Sequence, residues 1–240
     1  MLGSVLQGAV GFGFGMLVVP LIVWTGLPLP NAIAITVGAV AIQCAWNSYQ
    51  YRRHIRWRSI WAITAGRLAT LPLGVGALAL LAEFGQDRIK QAVGLVLLVT
   101  VMAQWLFQIK PSRHLHWGWS VLAGTVSGFT LGLVGMGAGP MVMWVMAHRW
   151  SSRQMRVFMW VCFLLLVPMH VVLMALRFDR STVLIAVATG LAFAPVSIVG
   201  SMVGQKLGET LLRPQLRAMA FVFLVLVAIV SISAPLLVRF

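Results

Sequence analysis

The chain has 240 residues, 60% of them hydrophobic and only 9% charged, with a mean hydropathy of +0.96. Soluble domains carry about a quarter charged residues, so an ordinary globular protein is excluded. The net charge of +14 comes from 18 Lys and Arg against 4 Asp and Glu, and nearly every basic residue flanks an apolar run, which points to anionic lipid headgroups and not to nucleic acid.

In chain order the apolar segments fall at 2–26, 30–50, 59–82, 91–109, 117–147, 157–176, 181–204 and 214–238. A bilayer crossing needs about 20 apolar residues. Eight such stretches with short connections describe an all-α polytopic membrane protein with no second, soluble domain. The segments are too long and too continuous for the alternating strands of a barrel. The first has no basic residue before it and no cleavage-like end, so it reads as a membrane segment and not as a signal peptide. Cys44 and Cys162 lie inside apolar runs, where buried thiols are expected and a disulfide framework is not.

The chain repeats itself at about half its length. A shift of 120 residues sets Gly8, Gly15, Pro20 and Trp24 on Gly128, Gly135, Pro140 and Trp144, and a shift of 124 sets Gly66 and Gly76 on Gly190 and Gly200. Residues 1–110 and 111–240 therefore read as two homologous four-segment membrane repeats within one integral membrane domain. Residues His116–Ser120 have no counterpart in the first unit.

If all eight segments cross, the loop Lys and Arg divide nine against eight between the two sides. The positive-inside rule leaves no such tie. If the first segment of each repeat instead dips in and returns to its own side, the division becomes twelve against five. Each repeat then makes three crossings and the two are inverted, a recurring plan in transporters. Loops around Arg53, Arg113, Arg153 and Arg213 are then expected on one side, the cytoplasmic one. Eight full crossings with broken helices are the competing arrangement.

Both opening segments are rich in glycine. Gly124, Gly128 and Gly132, four apart, put a flat strip on one helix face, the mark of close helix packing. Gly11, Gly13 and Gly15, and likewise Gly135, Gly137 and Gly139, are two apart and share no helical face. Three glycines at that spacing cost a helix several times the roughly 1 kcal/mol glycine penalty, so they read as opened turns with N–H groups pointing inward. Pro140 suits the first position of a new half-helix. A half-helix that starts at the midplane offers free N–H donors and a partial positive charge, which favour an anion. A glycine-packed hairpin without a ligand is the alternative.

All four carboxylates, Glu83, Asp87, Asp179 and Glu209, lie in loops or at segment ends. A carboxylate relay or sodium site and an acid-pair enzyme are disfavoured, because those chemistries need an acid at depth. Neutral and basic groups remain inside, among them Gln7, Asn47, Arg67, Ser127 and His170. A cavity lined by donors and positive dipoles selects anions. Arg67 sits about 13 Å along its helix, either reaching back to the basic loop or facing a wet cavity. His170 is the only histidine at depth, as a proton carrier or as a hydrogen-bonded packing residue. The tryptophans at segment ends, Trp57, Trp61, Trp117, Trp119 and Trp150, read as interfacial anchors.

Gly8…Gly11-Phe12-Gly13…Pro20, the segment Tyr51-Arg52-Arg53-His54-Ile55, the turn ending Gly139-Pro140 and the run Gly200-Ser201-Met202-Val203-Gly204-Gln205-Lys206-Leu207 resemble the sulfite exporter TauE/SafE family, in order and over essentially the whole chain. Arg67 departs from the family pattern, which usually has a small or apolar residue there. The resemblance implies a multi-pass carrier of the plasma (inner) membrane for sulfite, organosulfonates and related small anions. Joined to the residue reading, it gives a substrate site near the midplane between the glycine turns. The expected site residues are Gln7, Gly11, Gly13, Gly15, Asn47, Arg67, Ser127, Gly135, Gly137, Gly139 and His170, with no catalytic residue, metal or cofactor. The expected partners are a small inorganic or organic anion, the lipid bilayer and a second copy of the chain. A passive anion channel and a non-transporting scaffold subunit are the rival functions.

Overall fold

A computed structural model describes residues 1–106, 116–210 and 225, and every regular element among them is helical. In chain order these are α1 (Leu2–Val10), α2 (Phe14–Trp24), α3 (Leu29–Gln50), a short 3-10 turn at Arg52–His54, α4 (Trp57–Ala82), α5 (Gln86–Leu106), α6 (Trp117–Val134), α7 (Ala138–Met146), α8 (Ser152–Arg177), α9 (Arg180–Ala192) and α10 (Ala194–Thr210). Among the described residues four of them, α3, α4, α6 and α8, are long and apolar enough to cross a membrane singly, and α9 with α10, bent by 49°, is long and apolar enough only as a pair. The expected segment at 214–238 and the loops around Arg113 and Arg213 lie outside the described residues, apart from Val225.

Local signals set the ends. A proline opens the first turn of α3, where a missing N–H costs nothing. Ser151 and Gln154 form a reciprocal capping box at the start of α8. The bend of 49° between α9 and α10 was not expected, since 181–204 reads as one segment. Its physical cause is Pro195, which lacks an N–H and crowds the preceding turn.

The two glycine-rich segments each break in the middle, and in both the chain reverses. α2 returns along α1, so that a Cβ placed on Gly3 would meet Val18 at 2.8 Å. α7 returns along α6, where Trp144 Nε1 donates to Ser120 Oγ at 2.9 Å. The breaks are 124 residues apart, at Gly11 and Gly135, and not 120. The glycine pairs Gly66/Gly190 and Gly76/Gly200 have the same separation in the sequence. α7 begins at Ala138, so Pro140 sits within its first turn and not at its first position.

Packing crosses between the halves of the chain. α4 lies along α6 and α10 along α1, while α3 meets both α8 and α9. Gly124 and Gly132 bring α6 against Ile63 and Leu71 carbonyls that a Cβ would approach to 2.7 Å, and Gly128 meets the Arg67 carbonyl more closely still. The expected glycine strip is therefore a helix–helix contact. At one end of the molecule Arg56 lies 5.5 Å from the Trp150 ring, Tyr51 lies 5.9 Å from Trp160, and Arg153 pairs with Glu209 at 3.1 Å. Trp57, Trp61, Trp117 and Trp119 are exposed, but Trp150 is buried against Trp144 and Phe158, a packing residue where an anchor was expected.

Candidate functional site

The tips of the two hairpins meet. Gly11 and Gly13 have φ of 95° and 102°, and Gly135 has φ of 72°, a region where an L side chain is strained. These glycines end α1 and α6 and let α2 and α7 start at once from Gly13 and Gly137. A Cβ on Gly15 would lie 2.6 Å from the Gly135 carbonyl oxygen, so the second turn closes directly on the first.

Between the tips is a cavity of about 50 Å³. Its wall includes Gly13, Phe14, Gly15 and Met16 at the start of α2, and Gly137 and Ala138 at the start of α7. The first N–H groups of a helix have no partner within it, and the helix dipole adds partial positive charge there. Two helix N-termini thus face one small space. α3 supplies Thr36, Val37 and Val40, and α8 supplies Phe163, Leu166, Val167 and His170. Most of this wall is apolar, and among the described residues no carboxylate belongs to it.

Two polar side chains in the wall have an atom without a partner. Gln7 is buried, its Nε2 3.4 Å from Cys44 Sγ and its Oε1 unpaired. His170 is 2% exposed, and its Nε2 is unpaired. The Thr36 hydroxyl is taken up by the Ala32 carbonyl at 2.8 Å.

Arg67 neither reaches back to the basic loop nor lines the cavity. It is fully buried and donates from Nη1 to the Cys162 carbonyl at 3.0 Å, while Nε and Nη2 have no partner. Its guanidinium lies 5.0 Å from the centre of the Phe163 ring, which belongs to the cavity wall. Arg67 therefore stands behind Phe163, one ring away from the space.

Of the other expected residues, Gln7, Gly13, Gly15, Gly135, Gly137 and His170 come together around the cavity. Ser127 supports the second tip from behind, donating to the Gly137 carbonyl. Gly11 packs against Arg156, and Gly139 lies outside the wall. Asn47 belongs elsewhere: its Nδ2 donates to Ser201 Oγ at 2.8 Å and its Oδ1 accepts from Gln205 at 2.9 Å. The sequence reading missed Phe163, Thr36 and Arg156. Arg156 was counted with loop charges, yet it is 3% exposed. Its place five residues beyond the N-cap Ser151 is the signal that puts it one turn inside a helix.

A family model described as "Sulfite exporter TauE/SafE" matches residues 1–231. Neither the curated proteins nor the solved structures give a match.

Proposed function

The chain belongs to the sulfite exporter TauE/SafE family, a family of membrane anion transporters, and we propose that it exports small sulfur oxyanions or organosulfonates, such as sulfite or sulfoacetate, across the plasma membrane. The observation that carries the site is the cavity faced by two helix N-termini, with the unpaired Nε2 of His170 in its wall and, among the described residues, no carboxylate. A space of about 50 Å³ has room for roughly three to five waters or one compact oxyanion. The anion sits between the hairpin tips and draws on the N–H groups of α2 and α7. His170 contributes a ring N–H, and Arg67 contributes positive potential through Phe163.

The two halves, 1–110 and 111–240, are inverted repeats, and α1–α2 and α6–α7 are re-entrant hairpins that enter from opposite faces. The common offset of 124 between the turns and the reciprocal packing of α4 on α6 and α10 on α1 support this reading. So does the gathering of the Arg56, Arg153 and Glu209 regions at one end, which matches the twelve-to-five charge division.

The reading is tested by thermal unfolding of the purified protein with sulfite, sulfate, thiosulfate, taurine and sulfoacetate at matched ionic strength. A ligand at 100 times its Kd stabilises the state it binds by about 2.7 kcal/mol. Sulfite or a sulfonate should raise the midpoint where chloride does not. Indifference to all five anions would refute the site.

A further inference from the structure

Arg67 carries a permanent charge into the interior with no acid to meet it. It is fully buried near the middle of α4, and neither α6 nor α8, both packed along α4, contains a carboxylate. Buried charges in proteins are paired, because taking a lone ion out of water is expensive. Here the pairing is partial. Nη1 donates to the Cys162 carbonyl at 3.0 Å, and Nε and Nη2 have no partner among the described residues. Those two nitrogens form one edge of the planar guanidinium, the edge that meets two oxygens of a carboxylate, phosphate or sulfonate side by side. Arginine nitrogens donate and cannot accept. The unmet requirement is therefore for an acceptor, and the free edge suits one with two oxygens.

Helix packing sets the place of this edge beside the cavity. Gly128 brings α6 onto the Arg67 backbone, a Cβ there lying 2.6 Å from Arg67 Cα. The preceding residue, Ser127, donates to the Gly137 carbonyl at the second tip. The Arg67 side chain crosses to α8, whose residues Phe163, Leu166, Val167 and His170 turn one face to the cavity. Leu166 and His170 are buried, whereas Phe163 is only half-buried. Its ring lines the cavity and has its centre 5.0 Å from the guanidinium carbon. A change of its first side-chain torsion to another staggered position carries the ring aside without moving the backbone.

Building on the cavity reading above, we propose that the Nε/Nη2 edge of Arg67 is an inner oxyanion position behind the cavity and that Phe163 is its gate. With the ring in place, its face compensates part of the arginine charge, and the anion rests between the glycine tips. With the ring turned aside, the anion reaches the free edge and binds it through two oxygens, in charge-assisted bonds stronger than the ring contact. The position favours oxyanions over halides, because a single atom cannot align with both N–H groups at once.

The test is a double-mutant cycle on the purified full chain: wild type, Phe163→Ala, Arg67→Gln and the double variant. Each is titrated with sulfite, and with chloride at the same ionic strength, and read by thermal unfolding. Phe163→Ala uncovers the Arg67 edge and should tighten sulfite binding about tenfold, a gain that vanishes in the presence of Arg67→Gln. Chloride should show no such gain. If one of these variants does not fold, Phe163→Val and Arg67→Lys complete the same cycle, valine removing the ring and lysine keeping the charge without the two-nitrogen edge. An equal effect of Phe163→Ala in both backgrounds, or weaker sulfite binding by Phe163→Ala alone, would overturn the inner position and leave the cavity standing. An equal gain for chloride would overturn its preference for oxyanions. Absence of a sulfite-induced shift in the wild type would instead remove the cavity reading, and the two failures are thereby separated.

Discussion

An arginine at the centre of a membrane helix costs at least about 2.5–3.5 kcal/mol on insertion scales, so Arg67 requires compensation. The Cys162 carbonyl and the Phe163 ring supply part of it, and two guanidinium nitrogens are left unpaired. We expect Arg67→Gln to weaken sulfite binding about tenfold or more, equivalent to about 1.4 kcal/mol. Arg67→Lys, which keeps the charge but loses the planar fork, should recover part of the loss. Titration of the three proteins by thermal shift checks this, and equal affinities would make Arg67 a packing residue. Gly137 poses a different problem. Its φ of −90° suits any residue, but a Cβ there would lie 2.6 Å from the Ser127 carbonyl. Gly137→Ala should therefore displace the second tip and slow transport while the protein remains inserted. Much of this was legible in the sequence, since no helix face explains glycines two apart. The partners of Arg67 and Asn47 were not, because they lie 95 and 154 residues away and become neighbours only through helix packing.

Among the elements, α4 and α6 depend on a glycine strip. Gly128→Ala would drive a methyl into the Arg67 carbonyl and the Thr70 hydroxyl, and overpacking of that kind costs about 1–3 kcal/mol. A lower unfolding midpoint and a lower yield are expected, without the selective loss of transport predicted at Gly137. The start of α9 gives a pH-dependent prediction. The Asp179 carboxylate accepts from the Ser181 hydroxyl and from the Thr182 N–H, which hold its pKa near 2 against an ordinary 3.8. A carboxyl held low in the folded state stabilises above its unfolded pKa and loses that contribution as the pH falls through the folded value. Asp179→Ala should accordingly lower the midpoint at pH 6, and the difference from wild type should shrink between about pH 4 and pH 2. A difference independent of pH would refute a charged cap. The bend before α10 was present in the sequence as Pro195 but was hidden by an unbroken apolar run. Gly15 and Pro20 match Gly135 and Pro140 by residue type, and the glycines that end α1 and α6 are Gly11 and Gly135.

For the whole molecule, composition and charge fixed the class early, while packing between the halves could not be read from either half alone. The hairpin account requires the 50–58 and 148–153 loops to share a side, as their contacts through Arg56 and Trp150 imply. Cysteines placed at Arg53 and Arg153 should both escape an impermeant label in intact cells, while one at Gly85 should react. Labelling of Arg53→Cys and Arg153→Cys from opposite sides would restore eight full crossings. The central claim is that one anion at a time is held between the two glycine tips and carried, and counterflow tests it most directly. Labelled sulfite is offered outside liposomes that contain the purified protein, with and without a high concentration of unlabelled sulfite inside. A carrier with a saturable site takes up the label faster when the inside is loaded. Uptake that ignores the internal anion would contradict the account and leave a passive channel in its place.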